Sequence, residues 1–244
     1  MMQEEPPSRP LDVLALAAHP DDIEQTCGGT LIRMAEMGYR CGALDLTQGE
    51  MGTRGTPEIR LEEAQAAARH MLLSWRGNMR FPDARLENTI SARMSLAVEL
   101  RRIQPRVLIL PYWQARHPDH YRACEIGYEA AFLAGLRKLD EYSEPHRPFK
   151  VLYASLYANV TPSFVVDISA QFERRMQALL AYESQYGSQE TASHLFPDPE
   201  EVRDRLASIA RFYGNLIGTK YGEPYVVKES VKIDDIVSLG PRSF

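Results

Sequence analysis

Two short stretches of this 244-residue chain gather side chains that bind metals and move protons. "AHPDD" carries His19, Asp21 and Asp22, and "RHPDH" carries His117, Asp119 and His120. Three of the six histidines therefore fall in two His-Pro-Asp loops that lie far apart in sequence. His19 and Asp22 stand three residues apart across a proline turn, so both can face one centre while Asp21 faces elsewhere. Two neutral imidazoles and one carboxylate form a usual ligand set for catalytic zinc, with positions open for water and substrate. His19, Asp22 and one histidine of "HPDH" complete such a set, and spacing leaves open which histidine that is. Ferrous iron suits the same set.

The groups left over are those that amide hydrolysis needs. A water must lose a proton, an oxyanion must be stabilised and a leaving nitrogen must be protonated. Asp21 can take the first proton. The spare histidine, held as imidazolium by a nearby carboxylate such as Asp119, can serve the oxyanion or the leaving nitrogen.

For this chemistry the two loops must meet, and the order of elements says that they do. Residues 11–18 form an apolar run suited to a strand buried on both faces, followed by a helix over 28–37 that Gly38 ends. A strand over 39–47, a glycine-punctuated loop and a helix over 59–72 with Pro57 near its start come next. A short third strand around "MRFPDARLEN", a helix over 90–104 and a strand over 106–113 continue the alternation. The pattern predicts a single α/β domain, with a Rossmann-like, doubly wound, mostly parallel sheet and helices on both faces. In such a sheet the first and fourth strands are neighbours at the switch point, and the histidine loops leave their carboxyl ends.

Beyond residue 113 the pattern gives a helix over 118–136, a strand at "VLYASLYA" and two amphipathic helical stretches, "DISAQFERRMQALLAYESQ" and "PDPEEVRDRLASIARFYGNLIG". The segment "KYGEPYVVKESV" returns to extended structure. Residues 1–10 are expected to be a disordered lead and 11–244 the folded domain.

Composition narrows the function classes. An apolar content of 44% supports a sizeable core, and a net charge of -5 with scattered basic residues argues against a nucleic-acid surface. Cys27, Cys41 and Cys124 lie far apart with no CxxC pair, which points to small buried residues rather than disulfides or thiolate zinc. No apolar stretch approaches membrane-spanning length and no secretory leader is evident, so a cytoplasmic protein without a membrane partner is expected. Asp45 ends the second strand where a dinucleotide-binding fold keeps its ribose-binding acid. The first turn, however, lacks GxGxxG and presents Asp21 and Asp22 where a pyrophosphate would sit. No GxSxG elbow supports a serine hydrolase. A non-catalytic metal protein would need neither Asp21 nor His117, and both are present. Phe212, Tyr213 and Leu216 are read as core or subunit contact.

On "AHPDD", the following "GGT" and the later "HPDH", the chain resembles the LmbE-like (PIG-L) zinc-dependent N-deacetylases of N-acetylglucosamine compounds. The resemblance implies that His19, Asp22 and His120 bind zinc, that Asp21 is the general base, and that His117 is the spare histidine, tuned by Asp119. The stretches "LTQGEMGTRGTPEIRLEEA", "RHPDH", "FVVDIS", "AYESQY" and "KYGEPY" look similar to the branch that deacetylates N-acetylglucosaminyl-malate in bacillithiol biosynthesis. That branch and its mycothiol relatives bind sugar hydroxyls through an arginine of the glycine-rich loop and an aspartate of the "PD" loop, which implies Arg54 and Asp83 here. Malate is a dicarboxylate, and Arg116 beside His117 is a candidate partner for it. Ala115 departs from the mycothiol branch, which has an assisting tyrosine there, and Thr26-Cys27 departs from the usual glycine-rich spelling before the paired glycines. Relatives in the branch form trimers or hexamers, so a homo-oligomer acting on a small-molecule N-acetylglucosaminide is expected. The alternatives are another amide, such as a mycothiol-type conjugate or other N-acyl sugar, and a non-catalytic metal-binding protein.

Overall fold

The structure, a computed structural model, describes residues 5, 7–139, 143–155, 158–187, 198–237 and 240. The chain runs β1 (Val13–Ala17), α1 (Asp22–Thr26), α2 (Gly28–Glu36), β2 (Cys41–Thr47), α3 (Pro57–His70), β3 (Trp75–Phe81), α4 (Ile90–Ile103), β4 (Val107–Pro111) and α5 (Pro118–Ala134). It continues with β5 (Lys150–Ala154), β6 (Phe164–Asp167), α6 (Phe172–Leu180), α7 (Glu183–Tyr186), α8 (Pro199–Asn215) and β7 (Gly222–Val226). Most of the expected lead (1–4 and 6), the end of "VLYASLYA" (156–157) and the first residue of the last expected helix (197) lie outside the described residues.

The seven strands form one sheet in the order β3-β2-β1-β4-β5-β7-β6. β1 pairs in parallel with β2 on one side and β4 on the other, which is the expected switch point. Alternation along β1 explains why the sheet is covered twice. Leu14 and Leu16 pack into a core with Leu96 and Leu100 of α4 and Ala123 and Ala130 of α5. Val13, Ala15 and Ala17 face the other way, onto Leu31 and Ile32 of α2, Ala64 and Ala67 of α3 and Tyr182. A third cluster joins α6 to α8 through Phe172, Met176, Leu206 and Ala210. No helix among the described residues is long and apolar enough to cross a membrane.

Three local expectations need correction. The third strand begins at Trp75, ahead of "MRFPDARLEN", because Arg76 and Gly77 are buried against β2. The stretch read as helix from Asp167 opens with the end of β6, a four-residue strand on the sheet edge, and regular helix begins at Phe172. A short helix, α1, also precedes the expected α2; Cys27 ends one and starts the other. β7 pairs antiparallel with both β5 and β6, so the far edge breaks the parallel pattern.

Candidate active site

β1 delivers the first histidine loop to the sheet's carboxyl edge. The backbone N–H of His19 donates to Asp22 Oδ2 at 3.0 Å and closes the turn across Pro20. Asp21 then adopts φ 105°, a conformation that costs a non-glycine residue about 1–3 kcal/mol and persists only where neighbours enforce it. Two do so here. Buried Arg60 of α3 donates to the Pro20 carbonyl and brings its guanidinium within 3.7 Å of Asp21 Oδ2. The Tyr186 hydroxyl of α7 donates to the same oxygen at 3.0 Å. Arg60 also donates to the Gly49 carbonyl at 3.4 Å, tying the glycine-rich loop to the first histidine loop. Only glycine fits at residue 49, because its φ is 69° and a Cβ there would lie 2.1 Å from Arg60 Nη1.

β4 delivers the second loop. His117 caps the start of α5, where its Nδ1 accepts from the Asp119 backbone N–H at 3.2 Å. The three imidazoles converge, with ring centroids 4.8 Å apart for His19 and His117, 5.3 Å for His19 and His120, and 5.0 Å for His117 and His120. Asp22 lies between two of them: its Oδ2 is 3.3 Å from His19 Nδ1 and its Oδ1 is 3.2 Å from His120 Nε2. On its other side His19 meets Asp83 Oδ1 at 3.0 Å and Asp119 Oδ2 at 3.5 Å through Nε2. Among the described residues, two sets bring ligand atoms within 4.8 Å of one another, His19/His117/His120 and His19/Asp83/Asp119.

Four carboxylates around three imidazoles make a pocket that favours positive charge. Burial works against a charged His19, but bonds to Asp119, Asp22 and Asp83 outweigh it and hold the imidazole's pKa well above its ordinary value. Burial likewise opposes ionisation of Asp22, yet His120 and His19 keep it well below the carboxylate range. Asp83 is pulled down to about 2 despite burial, by His19 and by the N–H groups of Met51 and Ala84. Asp21 behaves oppositely. Burial, helped by Asp22 and Glu24, raises it to about 7 against the pull of Arg60. A buried carboxylate set between two imidazoles, with a further carboxylate orienting one of them, is the donor chemistry that Zn²⁺ or Fe²⁺ takes from a protein. The chain thus carries a candidate His/Asp metal site.

The fold brings His19, Asp21, Asp22, Asp83, His117, Asp119 and His120 together at one end of the sheet. The Asp119 carboxylate lies 3.5 Å from His19 Nε2 and accepts from the Ala84 N–H, and its charge also raises His117, the direction expected of it. Burial and the charges of His19 and His120 outweigh Asp119 and Asp22 and lower His117, so the imidazolium expected there is disfavoured. Arg54 is buried in the glycine-rich loop, where its carbonyl accepts from Gln185. Arg116 is exposed and makes no ion pair among the described residues.

Several positioning residues escaped sequence reasoning. Under the site, Arg76 of β3 binds Asp45 with two nitrogens at 2.9 and 3.1 Å and Glu24 at 2.5 Å, and the Tyr182 hydroxyl donates to Glu24 at 3.1 Å. Asp45 is thus spent on a buried ion pair at the place where a ribose-binding acid would stand. Where α1 gives way to α2, Glu223 of β7 accepts from the backbone N–H groups of Gly29 and Thr30 at 2.9 and 2.7 Å, while Arg175 donates to the carbonyls of Glu24 and Gln25. An anion meets one helix start and a cation one helix end, which complements both dipoles. The stretches "AYESQY" and "KYGEPY" had singled out this region without revealing its role. Cys27, Cys41 and Cys124 are free and buried, as expected.

Comparison with known proteins agrees with this geometry. Residues 14–131 match the family model PIG-L, described as GlcNAc-PI de-N-acetylase. The diacetylchitobiose deacetylase of Thermococcus kodakarensis is 29% identical over 230 residues, 86% of this chain and 80% of that protein. A conserved protein of Thermus thermophilus superposes with a TM-score of 0.83 at 41% identity, covering 91% of this chain and 97% of that one. The N,N'-diacetylchitobiose deacetylase of Pyrococcus horikoshii gives a TM-score of 0.77 at 27% identity, covering 92% and 86%. With both histidine loops inside the matched segment and the superposition covering most of the chain, the chain belongs to the PIG-L, or LmbE-like, deacetylase family.

Proposed function

We propose that this protein hydrolyses the acetamide of an N-acetylglucosaminyl small molecule, N-acetylglucosaminyl-malate in particular, to acetate and a free glucosaminide. The observation that carries the reading is Asp21: its buried carboxyl, held by Arg60 and Tyr186, stands next to the carboxylate shared by His19 and His120. His19, Asp22 and His120 are the proposed metal holders, and a bound zinc or ferrous ion would supply Lewis acidity to water and to the amide carbonyl. Asp21 accepts the proton of the attacking water, with Tyr186 and Arg60 fixing the direction of its carboxylate. His117 accepts an N–H at Nδ1, so its neutral ring carries the proton on Nε2 and offers it to the oxyanion or the leaving amine. Asp119 and Asp83 hold the His19 ring from the far side. Arg54 and Asp83 are assigned to sugar hydroxyls, and exposed Arg116, beside His117, to the aglycone carboxylates.

A second reading, diacetylchitobiose as substrate, is favoured by the names of the Thermococcus and Pyrococcus relatives. Acetate release from N-acetylglucosaminyl-malate, diacetylchitobiose and plain N-acetylglucosamine, with metal-loaded and chelator-treated protein, separates the two. Metal-dependent release that prefers the malate compound supports the first. Preference for the disaccharide transfers the assignment to the second, and a metal-loaded protein that cleaves none of the three sinks both.

A further inference from the structure

On the α5 side of the sheet, the chain beyond β7 reaches back to the loop that carries His117. Val226 stands opposite Tyr153 of β5, and the alternation of an extended chain carries Lys228, two residues on, to the same face. The Val227 N–H donates to Ser163 Oγ at 3.0 Å and fixes the chain at that point. The Lys228 ammonium then lies 4.5 Å from the ring centre of Tyr128 on α5, 4.8 Å from that of Tyr153 and 4.9 Å from that of Trp113. A cation within about 6 Å of an aromatic face is attracted to it, and three such rings surround this one.

Trp113 links this cluster to the site. It follows β4 in the segment 112–117 that ends at His117. The Tyr112 N–H donates to the Ala154 carbonyl at 2.8 Å, and the Trp113 ring packs on Tyr112 at 4.1 Å and edge-on to Tyr153 at 4.9 Å. Gln114, Ala115 and Arg116 make no hydrogen bond or ion pair among the described residues, and the next tie is His117 itself, capping α5. The direction in which the His117 ring faces the other two imidazoles therefore depends on where Trp113 and the start of α5 hold the two ends of the segment.

We propose that Lys228 is a positioning residue for the hydrolysis: its ammonium pins Trp113, and Trp113 sets the segment that presents His117 to the reacting amide. The inference rests on the proposed amide hydrolysis for the part that His117 plays, and the contact between Lys228 and Trp113 stands without it. The charge at residue 228 matters as well as the stem, because a neutral side chain of similar length covers the rings without the electrostatic attraction.

Three variants and two readouts test the clamp. Lys228→Met keeps a stem and removes the charge, Lys228→Arg restores a cation that binds aromatic faces, and Trp113→Leu removes the ring. Lys228 is exposed, so its substitution leaves the core packed. A displacement of about 1 Å at a reacting group costs up to roughly 100-fold, so in metal-loaded protein Lys228→Met is expected to lower kcat about 10- to 100-fold, and Lys228→Arg to keep it. Added to Trp113→Leu, Lys228→Met should cost nothing more, because both changes remove one contact. An unchanged kcat in Lys228→Met, or an equal loss with and without Trp113, overturns the proposal, and a fall in melting temperature alone marks Lys228 as packing. The second readout needs no turnover. The imidazole signals of His117 in a two-dimensional NMR spectrum, identified by their loss in His117→Ala, should shift in Lys228→Met and return in Lys228→Arg, while those of exposed His70 on α3 stay in place. Unmoved His117 signals overturn the positioning role even where activity falls. Should Trp113→Leu fail to fold, the two Lys228 variants and the His117 signals still decide. Wild-type protein that cleaves no acetamide removes the proposed reaction, and a shift of the His117 signals in Lys228→Met then keeps Lys228 as the residue that places that ring.

Discussion

Asp21 combines a strained backbone, a buried carboxyl and a raised pKa in one residue, and each property follows from its neighbours. Its proposed role as base requires the carboxylate form. With the group raised to about 7, kcat/KM is expected to fall about tenfold per pH unit below that value and to level off above it. The same shift means that folding takes up a proton between the ordinary carboxylate range and pH 7, so this group's contribution to stability declines as pH rises through that window. Asp21→Asn is expected to keep its metal, read by elemental analysis, and to lose about 10²- to 10⁴-fold in kcat. An active variant would remove Asp21 as base. Tyr186→Phe deletes the hydroxyl that stabilises the charged form, so the acid limb of the pH–rate profile should move to higher pH. A uniform loss at every pH would instead mark Tyr186 as packing.

Among the elements, those that deliver the ligands were legible and those that brace them were not. β1, β2, β4, α3, α4 and α5 stand close to their expected places, because continuous apolar runs and helical periodicity are local properties. β6 is four residues long, too short for periodicity to register, and α1 spans five residues of which only Ile23 is apolar. The braces depend on contacts between distant parts of the chain: Tyr186 with Asp21, Arg175 with Glu24, and Glu223 with Gly29 are separated by 165, 151 and 194 residues. No spacing rule reveals such pairs, although "AYESQY" and "KYGEPY" marked where two of them lie. The two histidine loops were readable because strand order alone brings them together. Which nitrogen meets which oxygen was not, and the contact of the Asp119 carboxylate with His19 went unseen. Glu223→Ala tests the bracing directly. It strips the α2 start of its anion and leaves buried Arg175 with carbonyl partners but no counter-charge, costing about 3–5 kcal/mol. The melting temperature should drop by roughly 6–20 °C. An unchanged value would show that the junction between α1 and α2 holds itself.

At the scale of the whole molecule the candidate site joins loops from the two central parallel strands, so metal binding and folding are linked. Metal at about 100 times its Kd adds roughly 2.7 kcal/mol, and stripping it with a chelator should lower the melting temperature by roughly 5–10 °C, restored by zinc in proportion to the logarithm of its concentration. A melting temperature indifferent to chelator and zinc would remove the metal from this pocket. The segment that matches the family model, 14–131, contains all seven His and Asp residues of the pocket, yet Arg175, Tyr182, Tyr186 and Glu223 lie outside it. A ribosome delivers the chain from its N-terminus, so every candidate ligand emerges long before the residues that lock Asp21 and the α1–α2 junction in place. The nascent protein therefore presents its metal-binding side chains before Tyr186 and Glu223 exist to brace them, and the bracing of the α1–α2 junction is complete only once β7 has been made and pairs beside β5.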